Sequence, residues 1–257
     1  MRNLLIKIFG FPATLIQGDF LVLDRWLWIK KKEKKLYEGK LIDVGCGSGS
    51  FTIGSAKLGF NSLGLSWDKK NNDKGEERAH ITKTEKLAKF EILDVRNLDS
   101  RKDFFNTFDV AICAENIEHI INDKKLIKDI ADTLKTNGIL LLTTPNKNYI
   151  PMGIGDAKEK VSQTEDGGHV RIGYTPEDCY RVCEGTGLKV IQIEYCSGFL
   201  SQKLTALLRV LTKFITYYPS WLITLPLRIL PLIFDKLITK LTNYPGYSIC
   251  FVAQKIN

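Results

Sequence analysis

The chain has no Cys-x-x-Cys pair, only three histidines, and no apolar run long enough to cross a bilayer. Each absence closes off a class. Its six cysteines, Cys46, Cys113, Cys179, Cys183, Cys196 and Cys250, lack metal-knuckle spacing and mostly sit among apolar neighbours. That argues against structural zinc and against a disulfide framework, and reads as a cytoplasmic protein with buried thiols. Cys179 and Cys183 are four apart on an expected helix, so they share a face as small core residues. The first 23 residues are apolar, but Lys7 breaks the run and no small-residue cleavage site follows, so no signal peptide is expected. Gln17 and Asp19 weigh against a spanning helix there. No internal repeat and no low-complexity linker are present.

Acidic residues are scarce at both ends. Residues 1–40 hold nine Lys/Arg against four Asp/Glu, and residues 201–246 hold six against one, Asp235. Each segment is therefore +5 in a chain of net +8, which leaves −2 for the rest. Both basic segments are rich in large apolar side chains. Their basic residues alternate with Leu and Ile more than with stacking aromatics, so no nucleic acid is expected.

What is present is alternation. Short apolar runs at 41–44, 62–65, 90–93, 110–113, 139–143 and 190–195 are separated by helix-length segments or turns. This predicts βαβ units in a doubly wound, seven-stranded, mostly parallel sheet, with a last strand at 247–252. The expected organisation is a single domain: a helical extension over 1–39, a core over 40–199, a hydrophobic basic helical insertion over 200–244, and a final strand over 245–257. A helix is expected from Asp19 to Lys35 and another from Ser50 to Leu58.

The most informative stretch is LIDVGCGSGSF at 41–51. A buried strand runs into Gly45, Gly47 and Gly49, and a helix follows. Glycine lets a ligand approach the main chain, and free N–H groups at a helix start can face it. Dinucleotide sites use G-x-G-x-x-G, with a pyrophosphate on the helix end. Here Asp43 ends the strand, and its carboxylate disfavours a pyrophosphate and hence NAD. It suits a cofactor carrying an ammonium and a sulfonium.

The loop resembles motif I of the class I S-adenosylmethionine-dependent methyltransferases. The resemblance runs from about Lys40 to Tyr195 and includes the last strand. It implies S-adenosylmethionine as cofactor, held around Asp43, Gly45, Cys46, Gly47 and Gly49. In GLSWD (64–68), Ser66 stands where the family usually has the acid for the ribose, so Asp68 is expected to reach it, or Ser66 and Trp67 line the site differently. EILDV (91–95) is similar to the adenine-binding segment and implies Asp94 with Val95. FDVAICAENIEH (108–119) resembles the fourth strand and the loop beyond it, placing Ala114 and Glu115 at the cofactor. LKTNGILLLTTPN (134–146) matches the fifth.

A hydroxyl acceptor must lose its proton, so a base is sought. Histidine ordinarily titrates near neutrality. His80 is expected on an exposed helix. His119 and His169 lie in loops bordering the expected methyl position and are the catalytic expectations. Arg171 and Tyr174, in DGGHVRIGY (166–174), are expected substrate contacts. No metal ligand set is expected.

Leu204, Leu207, Leu211 and Phe214 recur at helical spacing opposite Lys203, Arg209 and Lys213, the pattern of a helix lying in a membrane interface. Residues 221–234 are more apolar, but Pro226, Arg228 and Pro231 interrupt them. The leading expectation is methylation, with oxygen favoured, of a small, lipophilic or membrane-associated acceptor by a protein peripheral to an anionic surface. A soluble metabolite with 200–244 as a lid, or an inactive S-adenosylmethionine-binding module, remain open.

Overall fold

The structure is a computed structural model and describes residues 2–17, 20–36, 38–152 and 161–256. Three helices open the chain: α1 (Arg2–Phe9), α2 (Pro12–Ile16) and α3 (Leu21–Glu33). Asp19, expected to open a helix, lies outside the described residues. The sheet and its helices then follow as β1 (Lys40–Val44), α4 (Ser50–Lys57), β2 (Asn61–Ser66), α5 (Lys69–Ile81), β3 (Ala88–Ile92), β4 (Phe108–Ala114), α6 (Asp123–Thr133), β5 (Leu134–Pro145), α7 (Pro176–Cys183) and β6 (Leu188–Cys196). The insertion supplies α8 (Phe199–Phe214), α9 (Tyr217–Thr224) and α10 (Ile229–Thr242), and β7 (Ser248–Lys255) closes the sheet.

The seven strands run in the order β3-β2-β1-β4-β5-β7-β6. All pairings are parallel except the two made by β7. The order reverses between β1 and β4, so the crevice at their carboxyl ends is the expected ligand site. Strand periodicity divides the core in two. Ile42, Val44, Leu140 and Leu142 face α6 and α7, whereas Leu41 and Leu141 face Trp26 and Ile29 of α3. Cys179 and Cys183 are buried on the α7 side, as their spacing predicts. Phe11 meets Trp26 edge-on, Phe51 stacks on Trp26, and the indole presses on Gly54, where a side chain would collide with it.

The insertion differs from its expected packing. Leu204 and Leu208 turn inward with Ser201, Gln202 and Thr205, because this side of α8 covers the sheet end and the N-terminal helices. The stripe Leu204, Leu207, Leu211 and Phe214 is therefore split: Leu204 is buried, whereas Leu207 and Phe214 are exposed. In α10 the one buried residue is Pro231. Half of the 28 strongly exposed large apolar side chains among the described residues fall within residues 207–241. The insertion thus keeps most of its apolar surface outward, which a lid closed over the domain would bury. No helix of the described residues is long and apolar enough to cross a membrane.

Candidate active site

The glycine loop folds over the end of β2, where the Gly45 and Cys46 amides both donate to the Leu65 carbonyl, at 3.1 and 2.8 Å. The three glycines serve different ends. All have positive φ. A Cβ on Gly45 would strike Asn116 and one on Gly49 would strike Phe90, so these two permit close packing. A Cβ on Gly47 would meet nothing within 4 Å. Gly47 alone of the three borders open space, and a side chain there would fill it.

Asp43 does not face that space. It is 1% exposed and accepts a 2.7 Å hydrogen bond from Thr52 Oγ1. Burial pushes its carboxyl up to about 6 against the pull of the Thr52 hydrogen bonds. The acid thus acts from beneath the loop, tying it to α4, rather than by touching a cationic ligand. Cys46 contributes main chain, since its thiol is directed at Gly64 and burial pushes it well up.

Beyond β2, Ser66 is buried and its hydroxyl accepts from the Asp68 amide at 3.3 Å. Asp68 caps α5, accepting from Lys70 N at 2.9 Å, and is half-exposed. Trp67 is 75% exposed. Asp94 caps the turn after β3, beside buried Val95, and pairs with the Arg96 guanidinium, which holds its carboxyl below the usual range. Arg96 also binds Glu165 at 2.8 Å, joining this corner to the loop after β5. Ala114 ends β4, and Glu115 follows at φ +49 with its amide on the Thr143 carbonyl.

Sequence reasoning missed Arg25. This α3 residue is 8% exposed and reaches Glu115 Oε2 at 2.9 Å. Its Nε donates to Ser248 Oγ at 3.1 Å, and Ser248 donates to Glu115 Oε1 at 3.2 Å. The available signal was a lone Arg just before Trp26 in a run otherwise directed at the core. A cation and an anion so placed at the switch point suit a zwitterionic amino-acid group, and Gly47 leaves open space at the loop. The residues present therefore fit S-adenosylmethionine.

On the acceptor side the fold joins His119 and His169, whose ring centroids lie 4.7 Å apart, edge to face. His119 Nδ1 lies 3.0 Å from the Gly168 carbonyl. A carbonyl only accepts, so Nδ1 carries the proton and Nε2 keeps its lone pair in the neutral ring. Glu118 is 1% exposed and takes a 2.9 Å hydrogen bond from Thr144 Oγ1. Burial, reinforced by nearby Glu115, pushes its carboxyl well up. Donor atoms of Glu118, His119 and His169 all lie within 4.8 Å of one another, so this trio could hold a metal ion. His80 is exposed on α5, as expected.

Arg171 and Tyr174 take a different role from the expected one. Tyr174 is 2% exposed, and its hydroxyl donates to Asp123 Oδ2 and accepts from Arg171 NH1, both at 2.8 Å. Arg171 also donates to the Ile117 and Ile121 carbonyls, at 2.8 and 3.0 Å. The pair straps the loop bearing His169 to the segment bearing His119; neither is free to meet an acceptor.

The methyltransferase domain family matches residues 23–193, and the chain belongs to it. It is an S-adenosylmethionine-dependent methyltransferase. Among curated relatives, the ubiquinone biosynthesis O-methyltransferase of Aeromonas salmonicida is 26% identical over 187 residues, 68% of this chain and 75% of that protein. The one from Pelagibacter ubique is 30% identical over 119 residues, 46% of this chain and 47% of that one. The match to the mitochondrial enzyme of Bos taurus spans 43% of its length, at 27% identity over 61% of this chain. Solved structures share the fold. A methyltransferase of Mesorhizobium loti gives a TM-score of 0.55 at 17% identity, covering 89% of this chain and 97% of that one. The [4+2]-cyclase SpnF gives 0.60 at 18% identity, covering 89% and 80%. A cyclase among these neighbours shows that the fold alone does not set the reaction.

Proposed function

We propose that the protein methylates an oxygen of a lipophilic, membrane-borne acceptor, a hydroxylated aromatic of the ubiquinone-precursor kind, at the inner face of an anionic membrane. The observation that carries this reading is the His119 tautomer. Its Nδ1–H is held by the Gly168 carbonyl, so Nε2 is available to take a hydroxyl proton at the carboxyl end of β4. The names of the relatives point to the same chemistry.

S-adenosylmethionine, when bound, supplies a methyl already activated on a sulfonium. The chain's own groups align and protect. Gly47 leaves space beside the loop, Arg25 and Glu115 offer opposite charges for the amino-acid end, Asp68 and Asp94 offer acceptors for hydroxyl and amino groups, and His119 takes the acceptor's proton with His169 against it. Alignment of this kind can contribute about 7–11 kcal/mol, and a positioned base about 10²–10⁴-fold.

A second reading gives Glu118, His119 and His169 to a divalent cation, which would polarise the acceptor oxygen. Dialysis against a chelator separates the two: the base reading keeps turnover, whereas the cation reading loses it and regains it with a divalent metal that accepts imidazole, such as zinc. The main test is mass spectrometry with deuterated cofactor and a prenylated catechol. A product gaining one labelled methyl on oxygen supports the reading; labelling of only polar, non-aromatic metabolites overturns it.

A further inference from the structure

We propose that the insertion docks onto an anionic bilayer through its outer surface, with α10 lying in the interface and Leu230, Ile233, Phe234, Leu237 and Leu241 among the acyl chains. This rests on the reading of a membrane-borne acceptor and names the surface by which the enzyme would reach it.

Spacing and exposure carry the argument. Those five α10 residues recur on one side of the helix, and each is at least 44% exposed. The opposite side holds Pro231, which is buried, and Asp235 and Thr239, which face the start of α8: Thr239 accepts from Phe199 N at 2.8 Å, and Asp235 accepts from Gly198 N. Soluble monomers rarely expose a contiguous apolar patch of this kind unless it meets a partner. Lys236 and Lys240 flank the stripe and are exposed. Long basic side chains at that position can lay their stems on acyl chains and their ammonium groups among headgroups.

Charge selects the occupant. Lys203, Arg209, Lys213, Lys236 and Lys240 are exposed on the insertion. Its one acid, Asp235, is turned inward, accepting from Gly198 N at 2.8 Å, Leu200 N at 2.6 Å and the Ser201 hydroxyl at 3.1 Å. No carboxylate of the insertion is thus presented to the cations of a second copy, so a twofold contact through this surface would oppose like charges. Anionic headgroups supply the missing sign over a broad plane. The α10 helix has 14 residues and is interrupted upstream by Pro226, so it lies in the interface and does not span it.

The surface is also held to the catalytic part. Tyr217 donates through its hydroxyl to the Gln17 carbonyl. Trp221 Nε1 and Arg228 NH1 both donate to the Ile16 carbonyl, at 2.6 and 2.7 Å. Ser50, at the start of α4, donates to Thr14 O at 3.3 Å in the same segment. A cavity of about 420 Å³ lies between this unit and the back of the glycine loop, lined by Thr14, Ser48, Ser50, Leu208 and Tyr217 among others. Docking through α10 therefore fixes where the crevice stands above the bilayer.

The test is co-sedimentation of the full chain with phosphatidylglycerol/phosphatidylcholine vesicles, against phosphatidylcholine alone. We expect binding that needs the anionic lipid, weakens with salt, and falls at least about tenfold in Phe234→Glu/Leu237→Glu. Lys213→Glu/Lys236→Glu/Lys240→Glu should lose the salt-sensitive part. These side chains are exposed, so thermal melts should match wild type, and both variants should still methylate a short-chain catechol without vesicles. Wild type remaining in the supernatant, or an apolar variant that binds undiminished, overturns the docking. So does a concentration-dependent dimer in light scattering that the same apolar variant abolishes. Loss of vesicle binding with catechol turnover intact leaves the proposed reaction standing. Vesicle binding with no aromatic acceptor methylated does the reverse.

Discussion

His119 and His169 meet edge to face although they belong to different loops, one just after β4 and the other after its neighbour β5. The Gly168 carbonyl holds the tautomer of the first ring from the loop that carries the second. His119→Asn should therefore lower kcat by about 10²–10⁴-fold while leaving the dissociation constant for S-adenosylmethionine unchanged. Single-turnover methyl transfer beside calorimetry checks both. Unchanged kcat with a lipophilic catechol would remove His119 from the proton path.

Gly47 borders open space at φ +52, so a branched residue there meets a strained backbone and fills room the cofactor needs. Gly47→Val should weaken S-adenosylmethionine binding by at least about 100-fold, close to 2.7 kcal/mol. The melting temperature without cofactor should move little. Wild type should bind S-adenosylmethionine and its demethylated product, whereas NAD should give no heat. A normal cofactor affinity in the valine variant would mean that the ligand lies elsewhere.

Tyr174 and Arg171 hold one loop on another through a buried hydroxyl. Burial and the neighbouring Asp123 carboxylate push that phenol upward, so it stays a donor. Tyr174→Phe deletes the hydroxyl and leaves Arg171 and Asp123 without it, a cost of about 1–3 kcal/mol. Acceptor turnover should fall with the positioning of His169, and cofactor affinity should hold. Differential hydrogen exchange over 161–174 reports the loosened strap. A variant as stable and as active as wild type would count against this role.

Glu33 is 1% exposed beneath α4, where Ser55 Oγ donates to it at 2.6 Å. Burial pushes its carboxyl from 4.5 to about 7, with Asp43 adding to the rise and Ser55 opposing it. The folded chain thus binds this proton more tightly than the unfolded one. Its penalty is absent below about pH 4.5, grows as the pH rises through 7, and reaches at most about 3 kcal/mol. Glu33→Gln should raise the melting temperature at pH 8 by a few degrees and lose that advantage by pH 5. Thermal melts across this range decide it; a gain that is larger at pH 5 than at pH 8 would reverse the sign.

The sheet was legible because strands buried on both faces read as apolar runs, and because glycine at positive φ has few substitutes. Ends were less so. The third strand was expected over 90–93 and runs Ala88–Ile92; β2 ends at Ser66, and the Leu93 amide makes the last bond to its carbonyl. Among the site residues, Gly47 and the neighbourhood of His119 and His169 could be read from local pattern. Arg25 could not, since a basic residue on a helix reads as solvated until the carboxylate just after β4 is brought to it. Tyr174 was misread for a related reason: a polar aromatic in a glycine-rich loop looks like a ligand contact until Asp123 is found to accept its hydrogen bond. Periodicity gave α8 an apolar side but not the direction it faces; Leu204 could be turned inward only by a partner remote in sequence.

The insertion leaves the sheet after β6 and returns at β7, and these two strands are already paired. Cys196 sits opposite Ser248, and the Tyr247 amide bonds the Ser197 carbonyl at 2.9 Å. The points of departure and return are thus a single hydrogen bond apart. A tight turn could bridge them without shifting the register of any strand or moving the glycine loop. Three helices are in effect spliced into a hairpin, and the splice can be lengthened, shortened or exchanged while the catalytic machinery keeps its geometry. In a lineage built this way, where the enzyme works and what it works on can change by altering one loop, with the methyl-transfer chemistry inherited intact.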